Sequence, residues 1–340
     1  MSKNMNTMPI NIEKNSLIES MNLNLTIDMK SEITTIIILN NNKDIAICLA
    51  NGLLYVYEIK TFQKKLEIKF TDKTILDIVE FENNKACISC WDNKIRFIQF
   101  YNNYTQYKII QELIGHNSKY INGLKKSSFF KDQIILFSCS NDGCVILWKY
   151  DKENNLFNLF QKFKIYEIEH MDMNEDFQIE ALEETIKYKK LICASSIKRG
   201  VYFCDLTNYS FIETINLDVN RCIRALKVIN NDDILLVAGY MKIYVLNIKD
   251  KLVLQCISFN TICEFNCIFQ KRDGNILISE YTSIEPFSKI NEYNFNRETL
   301  ELLLVSSRKN DFKSYITTIV ETSDNHLMFG GYNCEIKVFK

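Results

Sequence analysis

The chain has 340 residues, of which 47% are hydrophobic and 12% aromatic, so it can bury a large core and is too apolar to be disordered. The 41 Lys and Arg nearly cancel the 42 Asp and Glu, which argues against a broad nucleic-acid footprint. The nine glycines form no phosphate-binding cluster, and three histidines leave little for metal or acid–base chemistry. These numbers predict a protein that is not an enzyme and needs no cofactor.

The beginning of the chain and its cysteines indicate the compartment. Residues 1–16 are polar and Asn-rich, and no window reaches the roughly 20 apolar residues of a membrane span. The twelve cysteines lie in apolar runs, as Cys48 and Cys193 do, which is typical of buried thiols in a reducing compartment. Cys87 and Cys90 have no second pair at zinc-ribbon spacing. We therefore expect a cytoplasmic protein without a metal site, with the nucleus left open.

Short apolar runs alternate with polar turns from residue 16 onward. The first run is 16–27, and a set of four follows at 35–39, 44–49, 53–59 and 63–70. The runs are rich in Val, Ile, Phe and Tyr, which is typical of strands, and similar sets recur to the end of the chain. Only residues 178–187 show a helical period. Four antiparallel strands in each 40–50 residues predict a propeller blade.

Each set contains a run that ends in a bulky side chain. The clearest copy spans residues 138–148 and ends at Trp148. The other end points are Tyr57, Ile98, Cys204, Leu246, Tyr293 and Phe339, at steps of 41 to 56 residues. Seven copies predict an all-β fold with one domain over residues 1–340, a seven-bladed β-propeller of four-stranded antiparallel blades. Because the seventh copy lacks a fourth strand, we expect residues 16–27 to supply it, with 1–15 flexible.

The third repeat carries a longer motif, with Gly115-His116 followed by two serines, an aspartate and a tryptophan. This motif resembles the WD-repeat β-propeller family, in which one blade buries a hydrogen-bonded His, Ser or Thr, Asp and Trp. The resemblance implies a structural tetrad of His116, Ser138 or Ser140, Asp142 and Trp148. A hydrolase triad is the alternative, but it needs an exposed nucleophile and an oxyanion hole.

The strict motif covers only residues 115–148. In the other repeats Asp92 matches the turn aspartate, and Asn51 and Asn333 are amide substitutes for it. The Gly-His pair occurs once. The resemblance to the family therefore covers nearly the whole chain by its period, with degenerate motifs outside the third repeat.

The resemblance also implies a binding face. In the family, the turns after second strands and the loops between blades crowd one rim of the central channel, here called the upper rim. Aromatic and Arg side chains dominate interface hot spots. The expected partner-binding residues of the upper rim are Trp91, Asn93, Lys119, Tyr120, Arg199, Arg221, Tyr240 and Tyr332. Tyr240 has the alternative of folding inward as packing.

Two charged segments have less specific interpretations. Residues 167–184 hold eight acidic residues and no Lys or Arg, and are expected to form a surface loop or short helix. This segment is either a solvated loop or a docking site for a basic peptide. The residues 198–200 match a phosphoinositide-binding signature only in part, so we do not expect membrane lipid as a ligand.

The leading function is a non-catalytic scaffold or adaptor that binds proteins or peptides on its rim, without nucleic acid as a partner. The alternative is the substrate-recognition subunit of a multi-protein enzyme, such as a ubiquitin ligase, which needs a strong basic or aromatic pocket over the channel. An enzyme or lipid binder in its own right would need convergent titratable groups in a pocket.

Overall fold

The computed structural model describes residues 23–118, 120–165, 178–195, 200–218, 223–283, 287–309 and 312–340. In these residues 28 strands form seven four-stranded antiparallel sheets, the blades of one ring. In blades 1 to 6 the strands follow each other from the innermost to the outermost, and a 3-10 turn at Glu82–Asn84 joins two strands of blade 2.

The strand bounds follow the chain. β1 is Leu23–Asp28. Blade 1 has β2 (Ile33–Ile38), β3 (Asp44–Leu49), β4 (Leu53–Glu58) and β5 (Lys64–Lys69); blade 2 has β6 (Ile75–Phe81), β7 (Lys85–Cys90), β8 (Ile95–Tyr101) and β9 (Gln106–Leu113). Blade 3 has β10 (Ile121–Lys126), β11 (Ile135–Ser140), β12 (Cys144–Asp151) and β13 (Leu156–Lys164); blade 4 has β14 (Ile179–Thr185), β15 (Lys190–Ser195), β16 (Gly200–Asp205) and β17 (Phe211–Asn216). Blade 5 has β18 (Ile223–Ile229), β19 (Ile234–Gly239), β20 (Lys242–Asn247) and β21 (Leu252–Ser258); blade 6 has β22 (Cys263–Gln270), β23 (Ile276–Thr282), β24 (Phe287–Asn296) and β25 (Glu301–Lys309). Blade 7 has β26 (Ile316–Glu321), β27 (Leu327–Gly331) and β28 (Glu335–Phe339).

The first strand completes the last blade. β1 pairs antiparallel with β28, with Leu25 opposite Val338 and Ile27 opposite Ile336. The predicted all-β ring of seven blades, closed by an N-terminal strand, is confirmed. The closing strand was expected at 16–27 and is seen at 23–28, while residues 1–22 lie outside the described part of the chain.

The periodic bulky residue marks a recurring β-bulge. In six blades the register of the third and fourth strands shifts just before it, as between Leu147 and Trp148. In blade 7 the shift lies in β1, opposite Val338 and Phe339. A bulge increases the local twist of a strand pair, so a bulge at this place in the outer strand pair of every blade turns each outer strand in the same way. This recurrence explains the period of the sequence.

The hydrophobic core lies between neighbouring blades. Trp148 of blade 3, for example, packs in one cluster with Phe81 and Phe97 of blade 2. Similar clusters join the other adjacent blades described. The eleven cysteines of the described residues are all free. Burial raises the pKa of Cys48 and Cys87 well above the usual value, so both stay protonated and unreactive.

The acidic segment departs from its expectation. Ile179–Thr185 is β14, the innermost strand of blade 4, so the expected loop or helix is wrong for these residues; 166–177 lie outside the described residues. A bulge between Ile179 and Ala181 breaks the alternation of the strand, which produces a helix-like apolar spacing. Glu183 and Glu184 are buried, and Glu183 lies 2.6 Å from the Lys125 ammonium of blade 3.

A carboxylate ties blade 2 to blade 3 at the channel wall. Asp77 Oδ2 accepts the backbone N–H of Leu124 at 2.9 Å, and Oδ1 accepts that of Ile78 at 2.8 Å. Thr318, at the same strand position in blade 7, accepts the N–H of Ile36 at 3.2 Å. The third residue of an inner strand therefore joins neighbouring blades in two places.

The Asp77→Asn variant should change the pH dependence of stability. Burial raises the pKa of Asp77 to about 6, although the two backbone N–H donors and Lys125 lower it. Because the pKa of Asp77 is higher in the folded than in the unfolded chain, the protonated carboxyl stabilises the fold below pH 4. This stabilisation is lost as the pH rises through 6. Asparagine avoids this loss, so the unfolding free energy of the variant minus that of the wild type should increase by about 2–3 kcal/mol between pH 4 and pH 7. Urea unfolding at several pH values measures this difference. A difference independent of pH, or one equal to that of the exposed-site control Asp72→Asn, would contradict it.

Candidate functional site

The upper rim is built from the turns after second strands and the loops that lead into inner strands. These two kinds of segment are joined by backbone hydrogen bonds. Trp91 N–H donates to Thr74 O at 2.8 Å in blade 2, and Tyr332 N–H donates to Tyr315 O at 3.0 Å in blade 7. Equivalent bonds in blades 1 and 3 start from Ala50 and Asn141. The backbone of the rim is therefore fixed at four of its turns.

One pair of expected rim residues is in contact across two blades. The rings of Trp91, from blade 2, and Tyr120, which precedes blade 3, meet edge to face with centroids 4.8 Å apart. Trp91 is half-buried, and its indole Nε1–H has no acceptor among the described residues, whereas Tyr120 is exposed. The pair presents the exposed ring of Tyr120, supported by the half-buried indole of Trp91, and aromatic side chains of this kind are common interface anchors.

A second aromatic group lies across blades 6 and 7. The ring of Tyr315 packs at a tilt against that of Tyr281 with centroids 4.1 Å apart, and it meets the Tyr332 ring edge to face at 5.8 Å. The Arg224 guanidinium of blade 5 lies 6.0 Å from the centre of the Tyr315 ring. These four residues, the tyrosine cluster, form an aromatic and cationic surface over one side of the channel mouth.

The charges around this cluster are paired along the inner strands. Arg224 donates to Asn266 Oδ1 at 3.1 Å and lies 3.2 Å from Glu264. Burial, with the neighbouring Glu264, raises the pKa of Tyr315 to about 12, so its hydroxyl remains a donor. Burial also raises the pKa of Glu180, while Arg224 lowers it. The channel mouth therefore offers both acidic and basic groups beside the exposed ring of Tyr332 and the half-buried rings of Tyr281 and Tyr315.

The remaining expected rim residues lie in different environments. Asn93 is half-buried in a turn with φ of 66°, and Tyr240 is half-buried after the second strand of blade 5. Lys119, Arg199 and Arg221 lie outside the described residues. Arg224, the cationic side chain at the tyrosine cluster, was not expected from the sequence.

A local signal could have identified part of the missed cluster. Tyr315 stands directly before the inner-strand residue Ile316, as Tyr120 stands before Ile121. Because both tyrosines occupy the same position of the repeat, placing one of them on the rim predicts that the other also lies there. Tyr281 has no such signal. It lies within the second strand of blade 6, and its contact with Tyr315 depends on how blade 7 packs against that blade.

The tetrad residues of the third blade form one chain of hydrogen bonds. Trp148 Nε1–H donates to Ser138 Oγ at 2.9 Å, and the same oxygen lies 2.8 Å from His116 Nε2. His116 Nδ1 lies 3.0 Å from Asp142 Oδ1. All donors are satisfied when His116 is neutral with its proton on Nδ1. Ser140 takes no part, since its hydroxyl donates to Tyr120 O at 2.7 Å.

The position of the tetrad does not support catalysis. Ser138 and His116 are buried, so a substrate has no access to the hydroxyl that a hydrolase would use. A Cβ on Gly115 would lie 2.8 Å from the indole of Trp148, which explains glycine beside His116. The tetrad instead joins the loop before blade 3 to two of its strands.

The turn aspartate of blade 2 has a different partner. Asp92 pairs with the buried Arg96 of the same blade, with the closest oxygen 2.5 Å from a guanidinium nitrogen. Arg96 Nε also lies 3.7 Å from Glu112 of the outer strand. In blade 2 an ion pair therefore links the turn to the strands, whereas in blade 3 a histidine makes this link. The difference accounts for the degenerate motif of blade 2.

The described residues contain no group of three His, Cys, Asp or Glu side chains arranged to hold a metal ion. No helix in the described part of the chain has the length and apolar character needed to cross a membrane.

Comparison with known protein families gives a match to part of the chain. The family described as WD domain, G-beta repeat matches residues 107–149. This segment runs from the outer strand of blade 2 to the third strand of blade 3, and it includes the whole tetrad. None of the curated proteins compared matches the chain.

Proposed function

Because the chain is a WD-repeat β-propeller, we propose that it is a non-catalytic scaffold or adaptor that binds proteins or peptides on its upper rim. Propellers of this family generally act as protein-interaction scaffolds. The observation that supports the rim is the presence of two aromatic groups there, the Trp91–Tyr120 pair and the tyrosine cluster. They stand on backbone held by hydrogen bonds, so little conformational entropy is lost when a partner binds.

The rim is suited to proteins or peptides because its chemistry is mixed. Tyrosine and tryptophan rings supply apolar area, while Arg224 and Glu180 supply charges of both signs. A partner peptide offers the matching combination of apolar side chains, charges and backbone amides. The partner-binding residues proposed are those of the upper rim named above, together with Arg224, Tyr281 and Tyr315.

The double variant Tyr120→Ala with Tyr332→Ala should abolish capture of the main partner. Truncating a true aromatic anchor costs about 2 kcal/mol, so two such losses weaken binding by about 10²–10³-fold. The two side chains are 40% and 41% exposed, so the melting temperature should change by less than about 2 °C. Affinity purification with quantitative mass spectrometry measures the retained partner.

A matched control is available on blade 2. Tyr101 and Tyr107 are 39% and 38% exposed and lie away from the upper rim. Changing both to alanine should leave the captured partners unaltered. Equal loss in the two double variants, or no loss in the rim variant, would show that the rim is not the binding face.

One observation favours the second function, a substrate-recognition subunit of a multi-protein enzyme such as a ubiquitin ligase. That function requires a strong basic or aromatic pocket over the channel, and the tyrosine cluster supplies three aromatic rings for it, although its Arg224 is paired with Glu264. Under this function the purified partners should include a catalytic subunit, whose retention is independent of Tyr332.

A further inference from the structure

A cavity of about 260 Å³ opens between blades 2 and 3 at the end of the ring opposite the upper rim. Its floor is aromatic. The rings of Phe97 and Phe157 meet edge to face with centroids 4.9 Å apart, and Tyr150 lies 5.2 Å from Phe157. Small-molecule sites usually occupy about 300–1,000 Å³, so this cavity suits a single large side chain better than a whole ligand.

The wall of the cavity holds a fixed positive charge. Lys85 Nζ donates to Tyr150 Oη and to Asn155 Oδ1, both at 2.7 Å, and lies 5.1 Å from the centre of the Tyr150 ring. An ammonium has three donors, and the third has no acceptor among the described residues. A carboxylate that entered the cavity beside the ring would therefore find a donor already in place.

The mouth of the cavity adds to this charge. Lys152 is exposed in the turn between the third and fourth strands of blade 3, and Glu82 is the acidic residue among those that line the cavity. The cavity itself therefore has two lysines against one glutamate, so its lining is net positive and favours a carboxylate there. The depression next to it adds Lys149 together with Asp151 and Glu153, so the excess of positive charge is confined to the cavity.

A shallow depression of about 410 Å³ continues from the cavity. It shares Tyr150 and Lys152 with the cavity and follows the outer strand of blade 3 to Phe160 and to Leu159, which is 52% exposed. The combined surface is elongated, with a deep aromatic end and a shallow apolar end. This shape fits an extended chain rather than a compact molecule.

We propose that the cavity and this depression, together the lower pocket, bind a linear acidic segment of a partner protein. One aromatic or large aliphatic side chain of the segment occupies the cavity, and an adjacent carboxylate contacts Lys85 and Lys152. This site lies on the opposite face from the upper rim and does not depend on it. The protein can then hold two partners at once, one on each face of the ring.

Fluorescence anisotropy with a labelled Gly-Glu-Phe-Glu-Gly peptide tests this site. The peptide should bind the wild type, and replacing its phenylalanine by alanine or its glutamates by lysines should weaken binding by about 10-fold or more. In the protein, Lys152→Glu should weaken binding of the acidic peptide by about 10-fold. The matched control Lys43→Glu, an exposed turn residue on the same face of blade 1, should change it by less than about 2-fold.

Hydrogen exchange locates the peptide. Saturating peptide should slow exchange at 82–85 and 150–157 and leave the turn at Tyr332 unchanged. The rim variant Tyr120→Ala with Tyr332→Ala should bind the peptide as the wild type does. A failure of the lower-pocket proposal can therefore be distinguished from a failure of the proposed function of the upper rim. Absence of binding, equal affinity for acidic and basic peptides, or equal effects of Lys152→Glu and Lys43→Glu would overturn the proposal.

Discussion

Removal of residues 1–28 is expected to convert the protein into an aggregating species with a melting temperature lower by at least about 5 °C. The shortened chain begins at Met29 and lacks β1, so β28 becomes an unpaired edge. The residues exposed there include Ile336 and Val338, which are buried in the intact ring. An apolar edge strand with free N–H and C=O groups pairs readily with another chain.

Light scattering after size-exclusion chromatography and thermal unfolding measure this effect. The control is deletion of residues 1–15, which the sequence places before the closing strand and which should leave both properties unchanged. A protein without residues 1–28 that stays monomeric, with the melting temperature of the wild type, would show that β1 does not close the ring.

The Asp142→Ala variant is expected to lower the free energy of unfolding by about 3 kcal/mol, and the melting temperature by about 4 °C. Asp142 accepts hydrogen bonds from His116 Nδ1, from Asn117 N–H at 2.8 Å and from Cys144 N–H at 3.0 Å. Alanine leaves these donors without an acceptor at a site with little access to water. Chemical denaturation measures the loss, and affinity per folded molecule for a rim partner should not change.

The loss at Asp142 should also depend on pH. Burial raises the pKa of Asp142, but hydrogen bonds from His116 and from the two backbone N–H groups more than compensate, and the pKa lies below its usual range. A lowered pKa contributes stability above the pKa of the unfolded chain, and this stability is lost in acid. The effect of the variant should therefore shrink as pH falls below 4. Asp72→Ala is the control, because Asp72 is an exposed loop residue; an equal effect of both variants would contradict a structural role for Asp142.

The architecture could be read from the sequence because each blade repeats the same bulge. In each blade this bulge lies beside the same position of the third strand, where residues such as Trp148 and Phe339 stand. The inner strands were harder to predict for a related reason. A bulge within the inner strand separates buried residues by three positions, as it does Ile75 and Ile78. In residues 178–187 this spacing resembles the period of a helix.

The candidate site was only partly predictable. Trp91 and Tyr332 could be placed on the rim because each follows a second strand. The contacts of Tyr281 with the neighbouring blade depend on how two blades are packed, which no local pattern contains. The choice between Ser138 and Ser140 was open because positions two apart share a strand face.

Photo-crosslinking from the upper rim tests the proposed scaffold function most directly. A benzophenone amino acid at position 120 lies beside Trp91, and one at position 101, on blade 2 away from the rim, is the control. Irradiation in cells, followed by mass spectrometry, identifies the proteins in contact with each position. We predict that one partner protein crosslinks from position 120 and not from position 101. Crosslinking of that partner from position 101 with none from position 120 would contradict binding on the upper rim.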